Sequence, residues 1–225
     1  MHKHTHSPES PAQTEGRLIR WASFYDVLAN IMTLGHIRRL RVLTVGNALL
    51  QSGENVLDVG CGTGGVTIPA KLQVGKNGRV AGIDPAPEMV AVARQKASRS
   101  GLEIDFRVGV IESLPFPDGT FDAVTSSLMM HHLPEHVQVK GLAEIKRVLK
   151  PGGRLLIADM MRPSTSFLKR FFTPLALHQY LRGVHVQFGI EDLPKLLQEA
   201  GFAEIKQLED RFLTIGFVQA TKPAA

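Results

Sequence analysis

Hydrophobic and polar positions along the chain alternate between two periods, and this alternation predicts strands and helices in turn. Short buried strands, rich in Val, Ile, Leu and Ala, are predicted at 55–59, 79–83, 104–108, 122–126 and 153–159. Helices are predicted at 64–73, 87–101, 137–149 and 190–200. Strands that alternate with helices in this way indicate a parallel sheet covered by helices on both faces.

The end of the chain departs from this alternation. Residues 204–209 and 212–220 are two strand candidates separated by a short turn, so we expect them to pair as an antiparallel hairpin at the sheet edge. The predicted fold is therefore α/β: a doubly wound, mostly parallel seven-stranded sheet of the Rossmann-like type, with an antiparallel C-terminal hairpin strand.

The segment before the first strand divides into two parts. Residues 1–15 contain three histidines and two prolines without an apolar period, so we expect a disordered lead-in. Alternating histidines can bind a transition metal, but a free tail without a fourth ligand more often does not, and no metal site is expected. From 16 to 52, apolar residues recur at helical spacing with a break near Gly35, which predicts a helical cap within a single domain spanning 16–225.

The composition is that of an ordinary globular protein, with 44% hydrophobic and 21% charged residues among 225. No apolar run approaches the roughly 18 residues that cross a bilayer, and the start is too polar for a secretory signal, so a cytoplasmic location is expected. The single cysteine, Cys61, excludes an internal disulfide framework and a multi-cysteine zinc site. A net charge of +5 favours an anionic partner without identifying it.

A glycine-rich turn follows the first strand and is the strongest local signal of function. Residues 57–65 read LDVGCGTGG. In a doubly wound sheet this turn lies at the carboxyl ends of the strands, where glycines let the main chain approach a ligand and the next helix offers free N–H groups. Gly60, Gly62 and Gly65 also fit the dinucleotide pattern G-x-G-x-x-G, and Asp84 stands where a ribose diol needs an acceptor. The turn alone therefore leaves a nicotinamide cofactor open.

Residues 58–64, DVGCGTG, resemble motif I of the class I S-adenosylmethionine-dependent methyltransferases. Three later segments, 109–122 (GVIESLPFPDGTFD), 128–134 (LMMHHLP) and 143–153 (AEIKRVLKPGG), resemble successive blocks of the ubiquinone/menaquinone group and related small-molecule methyltransferases. Four ordered blocks are far more specific than one glycine loop, and a nicotinamide enzyme is not expected to carry the later three. The resemblance runs from about Phe24 onward and implies S-adenosylmethionine as the cofactor.

The resemblance also implies roles for individual residues. Asp84 is expected to accept from both ribose hydroxyls, and Asp58 to orient the loop from beneath and attract the methionyl amino group. The main chain at three glycines would lie against the methionyl part, with Cys61 filling space between them. The implied cofactor-binding residues are Tyr25, Asp58, Gly60, Cys61, Gly62, Gly64, Asp84, Pro85, Met89, Val110, Ile111, Glu112, Ser127 and Leu128.

The adenine-binding part of the pattern contains one departure. Many members of the resembled family have an acid directly after the glycine that ends the third strand, where it accepts from the adenine amino group. Here Gly109 is followed by Val110. The main-chain N–H of Ile111 remains available to the adenine, and Glu112 is a candidate replacement for the missing acceptor.

Two histidines are the candidate catalytic residues. Methyl transfer from a sulfonium requires approach geometry and exclusion of water, and a base only when the acceptor must lose a proton. The resemblance places His131 and His132 at the mouth of the cofactor site, where a role in shaping the wall competes with general base catalysis. His178 and His185, in the less family-like region 160–190, are alternative bases.

The expected acceptor is a small lipophilic molecule such as a quinol, a phospholipid, or a phenol or amine metabolite. A nucleic-acid methyltransferase is disfavoured because 126–129 (SSLM) lacks the Asn/Asp-Pro-Pro-aromatic motif and no separate nucleic-acid module is visible. A cofactor-binding protein without catalysis stays open. Residues 160–190 contain no acid but several basic and aromatic residues, which fits either a substrate lid or a peripheral contact with an anionic membrane at its inner face.

Overall fold

The computed structural model describes residues 14–15, 30–31, 33, 35–162 and 189–224. Within these ranges the helices are α1 (Ile37–Asn47), α2 (Thr67–Val74), α3 (Pro87–Arg99), α4 (Glu135–Val148) and α5 (Leu193–Glu199). The strands are β1 (Asn55–Val59), β2 (Arg79–Asp84), β3 (Asp105–Val108), β4 (Phe121–Ser127), β5 (Leu149–Met160), β6 (Ala203–Gln207) and β7 (Ile215–Thr221). Short 3₁₀ turns cover Met130–His132 and Ile190–Asp192.

The seven strands form one sheet in the order β3-β2-β1-β4-β5-β7-β6. Strands β1 to β5 pair in parallel, and β7 inserts antiparallel between β5 and β6. This confirms the predicted mostly parallel sheet with a reversed C-terminal strand. From β1, the strands β2 and β3 are added on one side of the sheet, and β4 and β5 are added on the other. Doubly wound sheets bind their ligands at such a switch point, which here lies between β1 and β4.

Two hydrophobic clusters cover the two faces of the sheet. Along β1, Val56 belongs to one cluster and Leu57 to the other, because successive strand residues point to opposite faces. Helix α4 covers one face with Leu142 and Ile145, and α1 and α2 cover the other, where Leu40 is 2% exposed. Central strands buried on both sides hold the ends of β1 and β4 in fixed positions.

The strand β5 begins earlier than the sequence predicts. Residues 149–153 (LKPGG) indicate a stop and turn, yet Leu149 already pairs with Phe121. The register then shifts so that Arg154 lies opposite Ala123, and Gly152 takes a φ of 73° within the bulge. The additional residues at the start of β5 bend at Gly152, because a glycine adopts the left-handed conformation without a clash from a Cβ atom.

Only part of the predicted cap and lid falls within the described ranges. Helix α1 lies in the predicted cap, whereas Tyr25, His178 and His185 lie outside the described residues. Thr14 and Glu15, the last two residues of the predicted lead-in, lie against the domain: Glu15 Oε2 is 3.0 Å from His136 Nε2. In the described part of the chain, no helix has the length and apolar character needed to cross a membrane.

Candidate active site

Two clefts open on either side of the glycine turn that follows β1. Counting their open mouths, they enclose about 720 Å³ and about 490 Å³. Both are lined by Gly60, Gly62, Ser127 and Leu128. A single elongated ligand that crosses the turn would therefore reach into both clefts.

Gly60 is the point of closest approach between the turn and the loop that follows β4. Its φ is 73°, and a Cβ added there would lie 2.6 Å from Met129 Cγ. Both the backbone conformation and the space available therefore require glycine. Because no side chain stands at this position, the main chain of Gly60 is accessible to a ligand.

Asp84 lines the first cleft at the end of β2. Its Oδ2 accepts from the Gly62 N–H at 2.9 Å, and its Oδ1 accepts from the Ala86 N–H at 2.9 Å. Burial raises the pKa of this carboxyl, and the two main-chain donors oppose the increase. Each carboxylate oxygen keeps a further lone pair, so the group can still accept from two ligand hydroxyls.

The part of the first cleft formed after β2 and β3 combines apolar walls with a second carboxylate. Pro85, Met89, Val110 and Ile111, all among the implied cofactor-binding residues, line it. Glu112 also lines it, and its Oε2 is buried with no hydrogen-bond partner among the described residues. A buried acceptor left without a donor is costly, so this oxygen is suited to a ligand amino group.

Asp58 lies beneath the turn and lines the second cleft, although only 1% of its surface is exposed. Its carboxylate accepts from the Thr67 hydroxyl at 2.6 Å and from the Thr125 hydroxyl at 2.8 Å. Burial raises its pKa to about 6, which the two hydroxyl donors reduce only in part. A ligand ammonium beside this carboxylate would favour its charged form.

Helix α1 supplies the other charge at the second cleft, which the sequence reasoning missed. Ile37, Leu40 and Arg41 line this cleft from one side. The i, i+3, i+4 spacing of these residues places them on one helix face, and that spacing was a usable signal in the sequence. Cys61 lines the same cleft but is buried beside Phe106 and Val90, and burial raises the pKa of its thiol well above the ordinary value.

The loop after β4 closes the first cleft on the side away from Asp84. Leu128 adopts a φ of 56°, an uncommon value for a residue with a side chain. Met129, His132 and Leu133 line the cleft from this loop. The side-chain amide of Gln138, on α4, donates to the carbonyls of Met130 and Leu133 at 3.0 Å each and so holds the loop from below.

The two candidate catalytic histidines have different surroundings. His132 lines the first cleft, whereas His131 lines neither cleft. The Nδ1 of His131 lies 2.5 Å from Oδ1 of Asp159, a residue that is 1% exposed, and the His131 main-chain N–H donates to Oδ2 of the same carboxylate. The two imidazole centroids are 3.9 Å apart. His132 is thus the histidine that can meet a ligand, and His131 supports it.

Gly64 also departs from its predicted role. It lines neither cleft, and a Cβ added there would lie 3.3 Å from Ile68 and Phe106 and 3.4 Å from Ala93. Gly64 has a φ of 80° and lies at the end of the turn, where the chain packs against neighbouring side chains. The close approach to a ligand therefore falls to Gly60 and Gly62.

The arrangement suits a ligand with three chemically different parts. The first cleft offers a carboxylate for a diol and an apolar slot with one acceptor for an aromatic amine. The second offers Asp58 and Arg41, which are opposite charges suited to a zwitterion. S-adenosylmethionine combines a ribose diol, an adenine amine and an amino-acid end, so the described residues fit this cofactor.

Comparison with known proteins gives the same result. Residues 56–153 match the family model described as a methyltransferase domain. Ubiquinone/menaquinone biosynthesis C-methyltransferase UbiE of Geobacter sp. (strain M21) is 31% identical over 203 residues, which cover 82% of this chain and 86% of the relative. Demethylmenaquinone methyltransferase of Lactiplantibacillus plantarum is 34% identical over 200 residues, covering 80% of this chain and 84% of the relative.

Solved structures show the same fold. An S-adenosylmethionine-dependent methyltransferase from Aquifex aeolicus superposes with a TM-score of 0.69 at 25% identity, covering 89% of this chain and 97% of the other. The cyclase SpnF superposes with a TM-score of 0.65 at 24% identity, covering 84% and 81%. The second example shares the fold with a protein named for different chemistry, so the fold alone does not define the reaction.

The sequence relatives identify the family, because the similarity extends over most of both chains at 31% and 34% identity. The chain belongs to the family of ubiquinone/menaquinone biosynthesis C-methyltransferases and demethylmenaquinone methyltransferases, and it is an S-adenosylmethionine-dependent methyltransferase.

Proposed function

We propose that this enzyme methylates a small lipophilic acceptor of the quinol class. The observation that supports this most directly is that Asp84 and His132 line one cleft, with Met129 and Leu133 among its apolar walls. The named substrates of the relatives belong to the same chemical class. A phospholipid or a small phenol or amine would need the same apolar approach to the cleft.

The cofactor supplies an electrophilic methyl group on a sulfonium when it is bound. Asp84, Asp58 and the glycine turn hold and orient it, and the loop after β4 excludes water from the reacting atoms. His132 accepts the hydroxyl proton of a quinol, so that the ring carries the electron density needed for attack. Asp159, through His131, positions the loop on which His132 stands.

The deciding experiment measures S-adenosylhomocysteine release from the full chain with three acceptor types: a short-chain demethylmenaquinol, a phospholipid dispersion and a set of simple phenols and amines. We expect turnover with the quinol. Turnover with another type alone would contradict the acceptor class. Tight binding of S-adenosylhomocysteine without turnover on any acceptor would favour a cofactor-binding protein without catalysis.

We also propose a peripheral contact with an anionic membrane, which a lipophilic acceptor would require for efficient capture. No acid occurs from residue 27 to 53, and the outer side of α1 exposes Arg38, Arg39 and Val42, the last at 69%. Each cation near an anionic surface contributes about 1 kcal/mol. Arg162 contributes less to such a surface, because its guanidinium pairs with Asp192 at 2.5 Å.

Vesicle sedimentation at low salt tests this contact. The chain is expected to sediment with vesicles that contain anionic lipid and to lose that association when Arg38→Gln, Arg39→Gln and Val42→Ser are combined. Lys195→Gln, which removes a charge from the 82% exposed lysine on α5, is the control. Equal association with neutral and anionic vesicles would contradict the proposal and leave the substrate-lid interpretation of residues 160–190.

A further inference from the structure

We propose that Arg41 binds the α-carboxylate of the amino-acid end of S-adenosylmethionine, and that α1 thereby discriminates between cofactor ligands with and without this group. The inference rests on the proposed cofactor site and extends it to a residue outside the glycine turn. It concerns the second cleft, on the opposite side of the turn from Asp84.

The position of the guanidinium group is the first observation. A Cβ added at Gly65 would lie 2.7 Å from Arg41 Nε and 3.0 Å from both Cζ and Nη2. The flat group therefore rests on the main chain of the turn, in space that any side chain at 65 would occupy. An arginine fixed in this way loses little further conformational entropy when it binds a carboxylate.

The connection between the clefts is the second observation. Both include Gly60 and Gly62, so a ligand whose diol lies at Asp84 extends across these glycines into the second cleft. There it meets Asp58 from beneath the turn and Arg41 from α1. Among the described residues that line this cleft, Arg41 is the only cation. A zwitterionic amino acid requires one partner of each sign, and this pair provides them.

The helical period places the three arginines of α1 on two different sides of the helix. Arg41 shares its face with Ile37, Leu40 and the fully buried Thr44, at the spacing of one apolar stripe. Arg38 and Arg39 are exposed on the opposite side. A general role in surface charge would apply to all three equally, whereas contact with the turn applies to Arg41 alone. Arg39 is therefore a matched control, with the same charge on the same helix.

The test compares calorimetric binding of three ligands to the full chain: S-adenosylhomocysteine, its decarboxylated analogue, and methylthioadenosine, which lacks the whole amino-acid end. The affinity of each ligand is measured for the wild type, for Arg41→Gln and for Arg39→Gln. Arg41→Gln is expected to weaken S-adenosylhomocysteine at least about tenfold, the usual loss for a bidentate charged contact, and to leave the other two ligands within about twofold. Arg39→Gln should change none of them.

The other outcomes overturn the proposal in distinguishable ways. If Arg41→Gln weakens all three ligands equally, the arginine only supports the turn. If it weakens none, the carboxylate is bound elsewhere. In both cases the wild type still binds S-adenosylhomocysteine, and the cofactor site itself stands. If the wild type binds none of the ligands, the proposed function fails together with this assignment. Arg41→Lys, which keeps the charge but not the planar fork, should give an intermediate loss.

Discussion

The cofactor side and the acceptor side of this site are built in different ways. On the cofactor side, functional groups lie at the carboxyl ends of β1 and β2 and in the turns after β1 and β3, and main-chain N–H groups of Gly62 and Ala86 hold the Asp84 carboxylate. On the acceptor side, side chains hold the loop after β4: Gln138 from α4 and Asp159 from the end of β5. The position of the Asp84 carboxylate thus depends on backbone donors, whereas the loop after β4 depends on particular side chains.

This difference indicates how one fold retains a cofactor while the acceptor changes. A site held by main-chain donors tolerates substitution around it, because every residue except proline supplies the same N–H group. A loop held by a few side chains changes shape when one of them is replaced. The two sides should therefore respond separately to mutation, and four experiments test that separation.

The largest effect is expected on the acceptor side. His132→Ala should lower turnover on the order of a hundredfold, the low end for removal of a general base, and leave the affinity for S-adenosylhomocysteine within about twofold. His136→Ala, a half-exposed histidine on the adjoining helix, serves as the control. A parallel loss of turnover and cofactor affinity would mean that the loop belongs to the cofactor side, and the comparison would fail.

The next effect is expected at Asp84. Asp84→Ala removes a carboxylate that meets the diol and two main-chain donors, so affinity for S-adenosylhomocysteine should fall about thirtyfold, in line with about 2 kcal/mol for bonds to a charged group. Asp105→Ala, at an exposed acid that begins β3, should leave the affinity unchanged. Titration calorimetry measures both, and unchanged affinity for Asp84→Ala would remove it from the ribose site.

Asp58 connects cofactor binding to stability. Its pKa of about 6 in the folded chain lies above the ordinary value of 3.8, so the folded state binds the extra proton and stability declines as the pH rises between these values. Asp58→Asn keeps partners for both threonine hydroxyls and removes the buried charge. The variant should therefore be more stable than the wild type near neutral pH, by on the order of 1 to 3 kcal/mol, and this advantage should vanish below about pH 4.

Urea unfolding at several pH values measures this difference. Calorimetry on the same pair should show that the wild type loses affinity for S-adenosylhomocysteine as the pH falls below about 6, because the protonated carboxyl no longer attracts an ammonium, while Asp58→Asn binds weakly at every pH. A wild type whose stability rises across this window would contradict the assignment of the raised pKa to Asp58.

The smallest effect is expected at the adenine slot. Glu112→Ala should weaken S-adenosylhomocysteine about fivefold and remove the preference over the analogue that lacks the exocyclic amine, since one hydrogen bond to a neutral ligand group is worth about 1 kcal/mol. Adding Val110→Asp, which places an acid directly after Gly109, should recover the preference. If the preference persists in Glu112→Ala, a different group binds the amine.

The sequence alone was sufficient to predict the sheet and to place the glycine turn and Asp84 at one edge of it. Alternating periods predicted five parallel strands within a few residues of their observed bounds, because buried strands must be apolar throughout and amphipathic helices must repeat every three to four residues. Asp84 ends β2, and the sheet order places the end of β2 beside the glycine turn that follows β1. Local pattern and topology together therefore indicated the carboxylate and the turn.

Tertiary structure decided what depends on contacts between distant segments. Arg41 reaches the turn because α1 packs on the sheet face beside it, and Asp159 reaches His131 across 28 positions in the chain. Gly64 and Gly60 look alike in sequence, yet one faces Phe106 and the other faces Met129 and both clefts. The pKa of Asp58 is set by burial beneath the turn. Periodicity specifies which face of an element is buried, but which residues meet across that face depends on how the elements pack.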